Sequence, residues 1–169
     1  MRRPLVLTGP PAVGKSATGE WLARQRPRGA YIDVDDVRRL VVAGHEAPWR
    51  GSEGAAQSLL GAANAAALAR NFLASGFDVV VVDVLTPDTV TAYRERLPGC
   101  LVVRLVVDLA EARRRASTRP VWITAEEFRL LHERDTADPP PADVVLDVSA
   151  KDLPAQRAAV AELWATHPL

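Results

Sequence analysis

The sequence is short of the residues that mark several common protein classes. It holds one cysteine, Cys100, in 169 residues, so no disulfide framework can form within the chain. That thiol sits in an apolar run and reads as a packing residue. Lysine is almost missing: of 21 basic residues only Lys15 and Lys151 are lysines, the rest arginines. Twenty-one acidic residues balance them, and the formal net charge is zero. Global electrostatics therefore give no pull toward long nucleic acid or an anionic membrane. The apolar stretch after Met1-Arg2-Arg3-Pro4 covers only residues 5–7, too short for the core of a signal peptide. No segment approaches the length of a membrane span. The cytoplasm is the expected compartment.

What is present fits a soluble globular enzyme. About half of the residues are apolar and a quarter charged, and the length suits one domain, 1–169, with a sizeable core. Short β-rich runs alternate with helical patterns. Strands are predicted at Leu5–Thr8, 30–33, Asp78–Val82, 100–107 and 144–148. Helices are predicted at 16–25, from Asp36, at 55–74, 88–97, 109–117 and 154–166. One more opens at Thr124, where Glu127 completes a capping box. Continuous apolar strands between helices imply a parallel sheet covered on both faces, a three-layer α/β fold.

The chemistry-bearing motif is Gly9-Pro10-Pro11-Ala12-Val13-Gly14-Lys15-Ser16, which fits G-x-x-x-x-G-K-[ST] between a strand and a helix. Its glycines let backbone N–H groups turn inward onto phosphate oxygens, and the helix that follows, from Ser16 and Ala17, adds its positive end. Lys15 is expected to reach the β- and γ-phosphates of ATP, and Ser16 to ligate Mg²⁺. One of the two lysines thus stands where a phosphate-binding lysine is required.

Carboxylates follow at the ends of two strands: Asp33, Asp35 and Asp36 after the second, and Asp83 after the third. Strand ends line the ligand crevice of an open α/β sheet. Asp35 is the predicted acceptor-orienting base, with Arg38 returning to the same side, and Asp33 and Asp83 are the predicted Mg²⁺ ligands. If the strand alternation continues past Asp33, Asp33 and Asp35 share a face. Asp36 is the candidate cap of the next helix. On the acceptor side, residues 44–54 read as a loop, and Trp49 and Arg50 are candidates to touch a ring and an anionic group, with His45 beside them.

Together these motifs resemble the small P-loop kinases, among them shikimate kinase, gluconate kinase, chloramphenicol phosphotransferase and the kinase domain of polynucleotide kinase. The resemblance implies a P-loop NTPase fold, five parallel strands in the order 2-3-1-4-5, with a helical lid at about 113–135. It implies transfer of the γ-phosphate of ATP, with Mg²⁺, to a hydroxyl of a small metabolite or antibiotic. Asp33-Val34-Asp35 is similar to the Asp-x-Asp of shikimate kinase, and Asp35-Asp36-Val37-Arg38 to the Asp-x-x-Arg of polynucleotide kinase. Arg119-Pro120 resembles a lid Arg-Pro whose arginine closes over the phosphates. One of Arg113, Arg114 and Arg115, with Arg115 the candidate, would flank the adenine, and the turn at Ser149-Ala150-Lys151-Asp152 would contact it. A nucleoside, nucleotide or polynucleotide-end kinase is the alternative acceptor class. A nucleotide-binding regulator without an acceptor is the alternative of another kind. No Asn-Lys-x-Asp for guanine occurs, and Asp83 is not followed by Asp-x-x-Gly, which argues against a regulatory GTPase.

Overall fold

A computed structural model of the chain describes residues 3–118 and 123–167. Among these residues five strands occur: β1 (Leu5–Thr8), β2 (Gly29–Asp33), β3 (Asp78–Val82), β4 (Leu101–Val106) and β5 (Val144–Asp147). Seven helices accompany them: α1 (Lys15–Arg24), α2 (Val34–Arg38), α3 (Gly51–Ala74), α4 (Pro87–Arg96), α5 (Leu109–Ala116), α6 (Ala125–Ala137) and α7 (Leu153–Thr166). The strands form one parallel sheet in the order β2-β3-β1-β4-β5, as the family resemblance implied.

The sheet is buried on both faces because its strands are apolar at successive positions. Val79 and Val81 of β3 join Ile32, Val6 and the α3 alanines on one side. Val80 and Val82 join Leu5, Leu7, Leu22, Val160 and Trp164 on the other. Alternate residues of one strand thus feed two separate cores, as the period of two requires. Cys100 is buried in the first of these, as its apolar surroundings predicted. Among the described residues no helix is long and apolar enough to cross a membrane.

Three boundaries differ from expectation in ways that bear on the site. The helix after β2 begins at Val34, not near Asp36, and its cap is Asp33, whose carboxylate accepts from the Asp35 amide at 3.1 Å. Strand alternation therefore stops at Asp33 and does not carry Asp35 to the same face. Helix α3 begins at Gly51, inside the predicted 44–54 loop, because the Arg50 carbonyl already accepts from Gly54 N–H. Helix α4 is closed at its start by Thr86 and Thr89, each side chain accepting from the other's backbone. The Thr124–Glu127 capping box predicted for α6 is formed.

β1 is central, and the chain leaves its carboxyl end into the 9–16 loop. This is the point where successive connections run to opposite sides of the sheet, the usual ligand crevice of such folds. Gly9 has φ +142°, and a Cβ there would lie 2.3 Å from the Leu105 carbonyl oxygen. Backbone cannot yield that distance cheaply. Gly9→Ala is expected to lower the free energy of unfolding by about 2 kcal/mol or more, measured by urea denaturation of the ligand-free protein.

Candidate active site

The phosphate loop curls from β1 into α1 with Ala12 and Gly14 both at positive φ, 62° and 94°. Lys15 folds back over it, its ammonium donating to the carbonyls of Gly9 at 2.7 Å and Pro10 at 3.0 Å. The residue is half-buried by area, but its ammonium group lies against the loop backbone. Burial there lowers its pKa to about 8, although Asp35, Asp135, Asp33 and Asp83 pull it upward. No carboxylate is in ion-pair contact with it among the described residues.

The loop is braced from behind. The Val13 carbonyl accepts from Gln156 Nε2 at 3.0 Å and from Arg115 Nη1 at 3.3 Å. Gln156 is fully buried and also donates to Thr18 Oγ1. Arg115 further donates to Glu111, to the Val148 carbonyl at 2.7 Å and to the Lys151 carbonyl at 2.9 Å. The residue expected to flank the adenine therefore has its hydrogen-bonding edge engaged in joining α5, the phosphate loop and the turn after β5. Only the face of its guanidinium is left for a base. The Lys151 amide donates to the Val148 carbonyl, so both backbone groups of Lys151 are engaged and only its side chain is left for a nucleotide. Arg114 pairs with Glu111 on the exposed side of α5.

The carboxylates have unequal roles. Asp33 Oδ2 accepts from Tyr31 at 2.9 Å and lies 3.3 Å from Ser16 Oγ, while Oδ1 caps α2. Burial and the neighbouring Asp33 charge hold the Tyr31 hydroxyl well above its ordinary pKa, so it stays a donor. Asp35, exposed, accepts from Arg38 at 2.7 Å. The same guanidinium reaches Asp83 at 2.5 Å, and the Arg38 and Asp83 side chains are 6% and 0% exposed. Asp83 also accepts from Val84 N–H at 2.8 Å and from Tyr93 at 3.0 Å. Burial pushes the Asp83 carboxyl up, and Arg38 and Tyr93 oppose it. Asp83, expected as a Mg²⁺ ligand, accepts from Arg38 and Val84 at Oδ1 and from Tyr93 at Oδ2, and so holds Arg38 in place. Asp36 pairs on the surface with Arg39.

Asp33, Asp35, Arg38 and Asp83 line one cleft of about 910 Å³ that runs from Lys15 and Ser16 past Asp35 to Trp49. Trp49 and Arg50 do not point their polar groups freely into it: Trp49 Nε1 and Arg50 Nη2 each donate to Glu127 Oε1 at 3.2 Å. His45 lines the cleft without a hydrogen-bonding partner among the described residues. Helix α6 closes the side opposite α2. His132, buried, donates from Nε2 to the Pro11 carbonyl at 3.0 Å, and Asp135 pairs with Arg104 of β4 at 2.6 Å. Arg119 and Trp122, expected in the lid, lie outside the described residues.

Sequence reasoning missed Gln156, Tyr93, Glu127 as a bridge, and His132. Only Glu127 carried a local signal, the capping box, and that pointed to a helix start. The donor set at Ser16 and Asp33, a hydroxyl and a carboxylate, suits a hard cation such as Mg²⁺ that keeps waters and phosphate ligands. Among the described residues no group of three or more His, Cys, Asp or Glu side chains could hold a metal ion by itself.

No family model matches the chain, and no curated protein matches it by sequence. Its fold is shared with solved structures at low identity. A sugar kinase from Janibacter sp. HTCC2649, in an unliganded structure, has a TM-score of 0.75 at 16% identity, over 99% of this chain and 96% of that one. A gluconokinase from Sinorhizobium meliloti 1021 has 0.64 at 21%, over 97% and 94%. Shikimate kinase from Bacteroides thetaiotaomicron has 0.67 at 17%, over 96% and 97%.

Two predictions come from this geometry. Asp83→Ala strands the buried Arg38 and is expected to cost about 3–5 kcal/mol of stability; urea unfolding in EDTA measures it, and an unchanged midpoint would reject the brace. Lys15, with a pKa of about 8 against its ordinary 10.5, is neutral in the free folded protein above that pH while still charged in the unfolded chain. Folding then releases a proton, and stability rises with pH between about 8 and 10.5 on account of this group. A triphosphate favours the charged amine, so nucleotide binding near pH 9 is expected to take up a proton. Calorimetry in buffers of different ionisation enthalpy reads that uptake, which Lys15→Met removes.

Proposed function

We propose that this chain is an ATP-dependent phosphotransferase that moves the γ-phosphate of ATP to a hydroxyl of a small molecule. The observation that carries the reading is the juxtaposition, in one cleft, of the phosphate loop with its lysine and an exposed carboxylate oriented by a buried arginine. The shared fold with proteins described as sugar kinase, gluconokinase and shikimate kinase supports it.

Lys15 hands its ammonium from two loop carbonyls to the β- and γ-phosphates, an exchange of neutral acceptors for anionic ones. The loop amides and the start of α1 cradle the same groups. Ser16 and Asp33 would hold Mg²⁺, which when bound would offset the negative charge of the phosphates. Asp35 orients the acceptor hydroxyl and takes its proton as the acceptor oxygen bonds to the γ-phosphorus and the bond to the β–γ bridging oxygen breaks, leaving ADP. Arg38 fixes the Asp35 carboxylate without being consumed in the step. The turn at 149–152 takes the adenine. Trp49 and Arg50, joined to α6 through Glu127, wall the acceptor end.

The experiment is a screen for γ-phosphate transfer onto nucleosides, sugars and antibiotics, read by product mass, with ATP expected over GTP. Asp35→Asn is expected to lower turnover by roughly 10²-fold or more while ATP still binds. Lys15→Ala should lose both. Loss of ATP binding in Asp35→Asn would move that carboxylate to the metal site and sink its assignment as base.

A further inference from the structure

Helix α3 lacks the charged side that a surface helix turns to water. Its 24 residues include two charged side chains, Glu53 and Arg70. One side is covered, with Ala62, Ala65, Ala66 and Ala69 in the core. The opposite side, at spacings of three and four residues, carries Glu53, Ala56, Leu60, Ala63, Ala67 and Arg70. All of these are exposed except Ala63, which is half-buried. Leu59 and Leu68 lie on the two flanks of this stripe. Of the seven exposed large apolar side chains among the described residues, four belong to α3, so the exposed apolar surface is concentrated on this helix and not scattered.

The two charges say what covers it. Glu53 accepts from Gln57, a neutral donor on its own helix, at 2.7 Å. The Arg70 side chain has no hydrogen bond or ion pair among the described residues. Two α3 helices laid antiparallel about a two-fold axis bring Glu53 of each copy to Arg70 of the other. The same axis sets Ala56 opposite Ala67 and Leu60 opposite Ala63, because all three pairs are centred between Gly61 and Ala62. A parallel arrangement would set Glu53 on Glu53 and Arg70 on Arg70. Each leucine of the antiparallel stripe meets an alanine, which lets the helix axes approach to about 8 Å. An anionic membrane fits this face less well, because helices that lie on one carry several Lys or Arg and α3 has only Arg70.

We infer that the outer face of α3 is a self-complementary docking surface, covered by α3 of a second copy of this chain in an antiparallel two-fold pairing. At 1.5 Å per residue the helix is about 36 Å long and ~10 Å across, so the helix pair covers roughly 700 Å² in total. That is below the ~1,000 Å² of a lasting interface, and the dimer is therefore reversible, forming at micromolar concentration and above. The pairing does not depend on the kinase reading, since no residue of the stripe lines the cleft.

Sedimentation velocity of the full chain between about 1 and about 500 µM reads the pairing, and a rise from monomer to dimer across that range is expected. Leu60→Lys, which sets two ammonium groups beside the axis, should raise the dissociation constant about tenfold or more. Glu53→Arg and Arg70→Glu each turn both facing pairs into like charges, and each should raise it about fivefold or more. The double variant should return it to within about twofold of the original. Glu53→Arg also puts a cation in the first turn of α3, so the double variant should regain pairing while its thermal midpoint at low concentration falls. A structural role for these two residues would not separate the two readouts. A chain that stays monomeric to about 500 µM overturns the inference, whether or not it sediments with vesicles of anionic phospholipid. So does a dimer that Leu60→Lys leaves intact. Single charge reversals without effect, or a double variant that does not recover what they removed, overturn it as well.

Discussion

The site hangs on one buried charge. Arg38 is 6% exposed, and a guanidinium that far from water is tolerable only with its partners in place. Asp83, at the end of the central strand pair β3–β1, supplies the main one, and Tyr93 of α4 closes the other side of that carboxylate. This matters because α2 has five residues, too few to be stable as an isolated helix. Its position comes from Val34 and Val37 in the core and from the ion pair that anchors its last turn to β3. Asp35 rides on that short helix. Its place in the cleft is therefore set by a chain of contacts running through Arg38 to the sheet, and not by the strand it follows.

A second constraint holds the phosphate loop. Anion binding needs the loop's amides to face inward, which leaves carbonyls on its outer side that require partners. Val13 finds two, in Gln156 and Arg115, and Pro11 finds His132. These donors come from α7, α5 and α6. The loop is thus pre-shaped by its surroundings before any phosphate arrives, and the helices that shape it are also those bordering the turn after β5 and the cleft. Arg115 joins all of this because its planar fork can serve five acceptors at once, which a lysine could not do.

What the residues revealed in sequence and what they hid follow from the range of the forces involved. The sheet was legible because unbroken apolar strands such as 79–82 have only one common use between helices. The loop was legible because eight contiguous residues carry it. The cap of the next helix was placed at Asp36, not Asp33, because the capping role depends on where β2 stops, and the run Asp33-Val34-Asp35-Asp36 offers three possible caps. Arg113, Arg114 and Arg115 look alike in sequence. The phase of α5 alone turns the last one inward. Gln156 meets Val13 across 143 positions, and a lone amide in an alanine-rich helix announces nothing. The hold of Asp83 on Arg38 was hidden because a buried acid and a metal-binding acid look identical until the donors around them are known.

The two ends of the cleft differ in how their cations are neutralised, and that difference orders the reading of the site. Lys15 rests on the carbonyls of Gly9 and Pro10, which are neutral and weak enough to be exchanged for phosphate oxygens. Its charge is available. Arg38 rests on two carboxylates fixed by the backbone of α2 and β3, and no incoming anion can displace them without stranding a buried charge. Its charge is unavailable, and what it offers is geometry: a fixed carboxylate at Asp35. An anion entering this cleft therefore gains at the Lys15 end and loses at the Arg38 end. The two cations of the cleft thus differ in what they offer a ligand by electrostatics alone, before shape has any part in the choice.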